Sequence, residues 1–433
     1  MNLAKLNYVL IPKTRADRNR WLSRPIGRAL VPVLRLWQIL TLRGRILVLV
    51  ILLVAGFGTE IGSSQVYLLF SVLLGVMVAL WAARSGFALP NVHALIRLPK
   101  RVAVGDSVRF QVHIDNRGER HLSSLRVQGP FLPWDGKWTH PAPVIAALPP
   151  HESKSADCHA RFVARGEHDL EPFTVQALVP FGITLGPPVT TEPFSFVVVP
   201  RIAPIAHLDT PVTRRHQPGG VALASKTGES MDLLGIRDYR PGDPLRDLHA
   251  RSWARLGHPV VREYQEEYFT RIGVVVDVDR NHSTERQLEA ALSLAAGVVE
   301  HLSRGEALID LLVVGDEVHT LTLGRSLGFL DQALDLLACV TAGGSFDSST
   351  TARRLAPHLA RLSCLVFVSM AWEPERQAFI QRMQGAGVAC RTIVVDPPIE
   401  KRGSKAPPRI ANHQPFVSRV DTNAIEKGEA LWL

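Results

Sequence analysis

Two apolar runs near the start of the chain constrain it most. Ile46–Gly58 is unbroken, and Val66–Ala83 is a second, longer run. A helix that crosses a bilayer needs roughly 20 apolar residues, within a range of about 17–25. The second run meets this with its flanks. The first is short and must borrow upstream residues or thin the bilayer locally. Only Thr59–Gln65 separates them, with Glu60 as its single charge, which predicts a helical hairpin over 46–84. Charge supplies the orientation. Residues 1–45 hold Lys5, Lys13, Arg15, Arg18, Arg20, Arg24, Arg28, Arg35, Arg43 and Arg45 against Asp17 alone, and so carry the whole net excess of +9. Arg84, Arg97, Lys100 and Arg101 follow the second run, and the turn has no basic residue. Basic flanks stay on the cytoplasmic side, so both termini are expected in the cytoplasm. With the excess confined to one segment, a global basic surface is poorly supported, and no nucleic-acid partner is expected.

Residues 88–200 read as strands. Val108, Phe110, Val112 and Ile114 alternate with polar residues, a period of two. Leu125–Val127, His159–Val163, Phe173–Leu178 and Phe194–Val199 are further strands between dense prolines. Short strands with frequent turns predict an Ig-like β-sandwich. Residues 201–270 show weak periodicity and read as an irregular connector.

From 271 to 396 strand and helix alternate. Ile272–Val276 is a fully apolar β-branched run, as in a central parallel strand. Leu288, Leu292, Ala295, Val299 and Leu302 share one helical face. Strands are expected at 307–314, 318–323, 365–369 and 388–395, and helices at 327–340, 350–362 and 374–384. This predicts a doubly wound α/β sheet. The stretch 397–433 reads as a polar tail. Cys158, Cys339, Cys364 and Cys390 form no C-x-x-C pair and are expected as buried free thiols.

The densest polar motif runs through Arg237, Tyr239, Pro241, Gly242, Asp243 and Arg246, then Arg251 and Arg255. Pro241-Gly242 forms a turn, and Asp243 is placed to accept from backbone amides or to pair with Arg246. Arg251 and Arg255, four apart, share a face if helical. Two readings stay open: a partner surface, or a clasp bracing the connector. Gly220–Thr227 approximates a phosphate-binding loop, but Ser225 replaces its second glycine and no apolar strand precedes it.

The run from Tyr239 through Pro241-Gly242-Asp243 and Arg246 to Ala254-Arg255 resembles the signature of the domain of unknown function 58 family. Arg165-Gly166-Glu167, Pro180-Phe181-Gly182 and Val197–Arg201 resemble that family's sandwich. Ala250 and Val179 depart from the pattern, standing where tryptophan and aspartate are common. The resemblance implies a membrane-anchored accessory protein with a von Willebrand factor A-like C-terminal domain. It implies a MoxR-type AAA+ ATPase as partner, in assembly or maturation of envelope or metal-containing complexes.

Asp277-Val278-Asp279-Arg280-Asn281 is similar to the metal-ion-dependent adhesion site of A-type domains. Asp277 matches, Asp279 and Asn281 stand for two serines, Ser345 stands for a loop threonine, and Ser369 replaces the expected last aspartate. The resemblance implies Mg²⁺ on Asp277, Asp279, Asn281 and Ser345. No catalytic constellation is found, and the expectation is a non-enzymatic interaction protein. A ligand-free scaffold, or a metal-assisted hydrolase activating water at Asp277 and Asp279, are the alternatives.

Overall fold

The computed structural model describes residues 39–57, 64–211, 233–243, 245–264, 271–281, 284–305, 308–314, 318–323, 328–359, 362–398 and 416–433, besides positions 14, 17, 19 and 20. Most of the basic N-terminal segment, the hairpin turn and the glycine-containing stretch 220–227 lie outside the described residues. The chain divides into two compact units, Met1–Pro200 and Arg201–Leu433.

In the first unit, helix α1 (Leu42–Phe57) packs against helix α2 (Ser64–Ala83). The stretch Gln65–Phe87 is long and apolar enough to cross a membrane, with mean hydropathy 2.4, and only 6% of its apolar window is buried in protein. Leu68, Leu69, Val72, Val78 and Trp81 all face outward. At 16 residues, α1 is the shorter helix and starts four residues before the apolar run.

The β-sandwich follows. One sheet holds Val92–Arg97, Ser107–Asn116, Ser153–Phe162 and Gly136–Trp138 in that order; a second holds Val189–Thr190, Thr174–Ala177, Leu122–Gln128 and Val144–Leu148. A third strand group, Arg101–Ala103, Phe194–Val199 and Gly166–Leu170, adjoins them. The period-two strand is buried at every second residue, so Val108, Phe110, Val112 and Ile114 face inward. Phe110 lies against Trp138, Phe173, Phe194 and Phe196, with centroids 5.6–5.9 Å apart, within the range aromatic pairs favour.

The hairpin is tied to this sandwich by its root. Thr41 N–H donates to the Ile183 carbonyl at 3.1 Å. Arg84 Nε donates to the Leu185 carbonyl at 2.7 Å. Both helix ends therefore grip one loop, 181–185. Gly44 is required there, because a Cβ would overlap the Ile183 carbonyl oxygen.

The second unit is built on one six-stranded sheet. Its strands are β1 (Arg271–Asp277), β2 (Leu308–Val314), β3 (Val318–Leu323), β4 (Cys364–Ser369), β5 (Ala389–Asp396) and β6 (Val417–Asp421). Their order is β3-β2-β1-β4-β5-β6, with only β3 antiparallel. The helices of this unit are α3 (Ala250–Leu256), α4 (Glu285–Ser303), α5 (Gly328–Cys339), α6 (Ser348–Leu359), α7 (Pro374–Gly385) and α8 (Thr422–Lys427). Thr284 caps α4 by accepting from Gln287 N–H. Gln287, buried on the first turn of α4, donates to the Met370 and Val395 carbonyls at 2.8 and 2.6 Å and so ties together the ends of β4 and β5.

Three expectations need correction. Residues 416–433 are not a tail: they supply β6, α8 and the short strand Leu431–Trp432, which pairs with Ile205–His207. Val420, Ile425, Leu431 and Leu433 are buried, and the polar stretch before them hid this return to the sheet. Nor is 201–270 irregular throughout, since Leu233–Asp238 and Val260–Tyr264 form an antiparallel ribbon spanning α3. Cys339 is exposed rather than buried, while Cys158, Cys364 and Cys390 are buried free thiols. Burial pushes Cys364 and Cys390 up to about 12.

Candidate functional site

In a doubly wound sheet the crevice opens where strand order reverses, outside the carboxyl ends of the two central strands. Here those strands are β1 and β4, ending at Asp277 and Ser369. The Asp277–Asn281 loop folds on itself: Asp279 N–H donates to Asp277 Oδ1 at 3.1 Å and Asn281 N–H to Asp279 Oδ1 at 2.8 Å. The segment Gly343–Phe346 lies alongside, bridged at Gly343 and donating from Phe346 N–H to Asp279 Oδ2 at 3.4 Å.

The centre of this site is an arginine. Arg376, on the first turn of α7, is 1% exposed. Its Nε donates to Asp277 Oδ2 at 2.7 Å and its Nη2 to Asp279 Oδ2 at 2.8 Å. Its Nη1 lies 3.5 Å from Glu373 Oε2, and its guanidinium carbon sits 5.2 Å from the centre of the Phe346 ring, within cation–π reach. Ser369 Oγ donates to Asp277 Oδ2 at 2.9 Å, so the residue that replaces the expected acid serves as a donor to its neighbour. Burial pushes the Asp277 carboxyl above its ordinary value, against the pull of Arg376, Ser369 and the Asp279 amide.

The residues present do not fit a divalent cation. Mg²⁺ needs near-octahedral oxygens at close range, yet one oxygen of each aspartate is already taken by the guanidinium and another by the loop's own amides. Asn281 and Ser345 are exposed, and Asn281 enters the cluster through its backbone N–H. Among the described residues no group of three His, Cys, Asp or Glu side chains is arranged to hold a metal. The expected metal set of Asp277, Asp279, Asn281 and Ser345 is therefore replaced by an internal ion cluster, and metal-assisted hydrolysis at these aspartates loses its footing. The sequence reading missed Arg376, since an arginine in a Pro-Glu-Arg helix start reads as surface charge. The one available signal was the unbalanced acid pair on an apolar strand end.

The second site is the ribbon and its helix. Arg237 holds Asp243 through two bonds, Nη1 to Oδ2 at 2.6 Å and Nη2 to Oδ1 at 2.8 Å. Arg240 N–H also donates to Asp243 Oδ2 at 2.8 Å. Asp243 thus pairs with Arg237, not Arg246, which instead lies 3.9 Å from Asp247. These donors hold the Asp243 carboxyl down at about 2, Arg237 contributing most. Pro241 and Gly242 occupy the two central turn positions, and Gly242 takes φ +107°, as a type II turn requires of its third residue. Helix α3 begins after His249 and ends at Gly257, whose φ is +75°. Arg251 and Arg255 both lie on it and both are exposed. Exposed apolar side chains stand among them: Leu245 at 73%, Leu256 at 57% and Trp253 at 43%. Tyr239 precedes the turn, its N–H donating to the Pro259 carbonyl at 3.0 Å, and Arg246 follows it on the short helical turn Leu245–Asp247.

No family model matches the sequence, and no curated protein matches it. Among solved structures, native alpha-2-macroglobulin from Escherichia coli, spanning domain MG7 to the C-terminus, is similar over 27% of this chain at 19% identity and a TM-score of 0.22; the match spans 17% of that structure. The CARDB domain of a Pyrococcus furiosus protein, solved in complex with di-metal ions, is similar over 26% of this chain and 96% of its own, at 18% identity and a TM-score of 0.18. Likenesses this shallow leave the argument to the chain's own geometry.

Proposed function

We propose that this chain is a membrane-anchored, non-enzymatic interaction protein of the domain of unknown function 58 type, with a von Willebrand factor A-like second unit. Its partner on this reading is a MoxR-type AAA+ ATPase, engaged through the ribbon and α3 without a metal ion, at the cytoplasmic face of a bacterial inner membrane. The observation that carries it is the division of labour within the motif. Arg237 and Asp243 brace the turn, whereas Arg251 and Arg255 are left facing solvent beside Trp253, Leu245 and Leu256. Interface centres are enriched in tryptophan and arginine, with apolar contacts around them. The arginines call for an acidic face on the partner. The anchor is supported by the outward-facing apolar surface of α2. The A-like reading is supported by the doubly wound sheet with an acidic loop at its switch point.

The test is binding of full-length protein in detergent to the purified ATPase. Arg251→Glu with Arg255→Glu is expected to weaken binding by at least tenfold, and chelation of Mg²⁺ from this chain's side to leave it unchanged. With nucleotide-free ATPase in both arms, the chelator removes no nucleotide-bound Mg²⁺. Binding that survives the double charge reversal sinks the assignment of this surface. Binding that needs Mg²⁺ in the nucleotide-controlled comparison sinks the metal-free reading.

A further inference from the structure

A cavity of about 310 Å³ opens in the first unit between the root of α1 and the sandwich. Arg45, Arg126, Gln128, Trp138 and His140 line it together with Cys158, and among the described residues no carboxylate does. Arg45 comes from the first turn of the membrane-facing helix, and Arg126 from the strand Leu122–Gln128. The two side chains line the same cavity. The Nε of Arg126 is shut off from solvent and has no hydrogen-bond partner among the described residues. A sequestered guanidinium donor without an acceptor is costly, and a second cation beside it adds to the cost. A polar pocket of this kind is complete only with an anion in it. Guanidinium groups match phosphate oxygens best, since they present planar forks of donors.

The position of the cavity selects the source of the phosphate. The loop 181–185 is gripped by Thr41 at the start of α1 and by Arg84 at the end of α2, so this end of the sandwich sits where headgroups lie if the hairpin spans the bilayer. Phe181 projects from the same loop with 77% of its surface exposed, and Arg43 Nη1 donates to its carbonyl at 3.4 Å. An exposed aromatic side chain beside basic residues is the pattern of an interfacial anchor. We infer that the cavity lined by Arg45, Arg126, Trp138 and His140 binds the phosphate of an anionic phospholipid headgroup, seating the sandwich on the membrane surface. This rests on the membrane-anchored reading above.

The experiment uses the full chain in a neutral detergent, titrated with short-chain phosphatidylglycerol, short-chain phosphatidylcholine or inorganic phosphate. Retained lipid is counted by native mass spectrometry and the thermal midpoint is followed in parallel. Phosphatidylglycerol is expected to bind saturably and raise the midpoint by several degrees, with phosphatidylcholine at least tenfold weaker. Arg126→Gln removes the strained donor without creating a new charge. It is expected to leave the lipid-free midpoint unchanged or higher and to abolish the lipid-dependent shift. Arg126→Lys, which keeps charge but loses the fork, is expected to retain a reduced shift. Equal stabilisation by inorganic phosphate overturns the lipid source, and a full phosphatidylglycerol response in Arg126→Gln overturns the site. Retention of wild type and Arg126→Gln in alkali-washed membranes reports on anchoring separately, so failure of the anchor and failure of the pocket are told apart.

Discussion

A single guanidinium decides what the acidic loop of the second unit can do. Arg376 faces Asp277 and Asp279 in a setting where all three side chains are at most 3% exposed. Breaking a buried ion cluster by removing one partner costs about 3–5 kcal/mol, because the remaining charges stay buried without compensation. Arg376→Met in the full chain should therefore lower stability by about that amount. Adding Asp277→Asn and Asp279→Asn should restore at least half of it, since the uncompensated charges are then gone. Denaturant midpoints of the wild type, the single variant and the triple variant read this directly, and no recovery in the triple variant would refute the counter-charge role. Asp243 makes a different prediction. Its folded carboxyl sits at about 2, below its ordinary 3.8. A depressed carboxyl contributes stability that is present above the ordinary value and lost as pH falls towards the folded one. The turn at residues 238–243 should then exchange its amides faster in Asp243→Asn than in wild type at pH 6, with the difference vanishing between pH 4 and pH 2. Hydrogen-exchange protection corrected for intrinsic rates checks it.

At the scale of elements, β6 and α8 illustrate how a weak pattern is fixed by its surroundings. Val417–Asp421 has only two apolar residues, so no periodicity marks it as a strand. It becomes one by pairing in parallel with β5, from Thr392–Val417 through Asp396–Asp421. The elements around it bury Val420, Ile425, Leu431 and Leu433. Burial of such side chains is worth about 1.5–3 kcal/mol each, comparable in sum with the whole stability of a domain, about 5–15 kcal/mol. A chain stopped after residue 415 should therefore lose the second unit's fold and keep the first. Limited proteolysis is the measure: fragments of 201–415 should disappear while the sandwich persists, and a resistant 201–415 fragment would show that β6 is dispensable. The central strands were legible because β1 and β4 are uninterrupted apolar runs. Their ends could be read from where Asp277 and Ser369 begin. The ribbon was less so, because Leu233–Asp238 and Val260–Tyr264 satisfy each other's backbone while the adjacent Val260 and Val261 are both buried and Ile236 is exposed, which erases the alternation that betrays a half-buried strand.

Across the whole molecule, local chemistry was legible and long-range partnership was not. The apolar runs, the alternation at Val108–Ile114 and the Pro241-Gly242 turn each announce themselves within a few residues. The Asp277 partner lies 99 positions away, in a helix start with nothing distinctive about it. The same holds for the cavity, since Arg45 and Arg126 come from a helix and a strand with α2 and two strands of the first sheet between them in sequence. What reads as a metal site by spacing is closed by a residue that spacing does not reach.

The pairing of Ile205–His207 with Leu431–Trp432 has a consequence for the timing of biosynthesis. The first residues of the second unit find their strand partner only when residues 431–432 have left the ribosome. The apolar hairpin and the sandwich emerge well before that. The newborn chain therefore carries its first half in full while the second half waits, open-edged, for its closing strand. Any factor that guards exposed β-edges during synthesis would meet this protein late and, on the anchored reading proposed above, at the membrane.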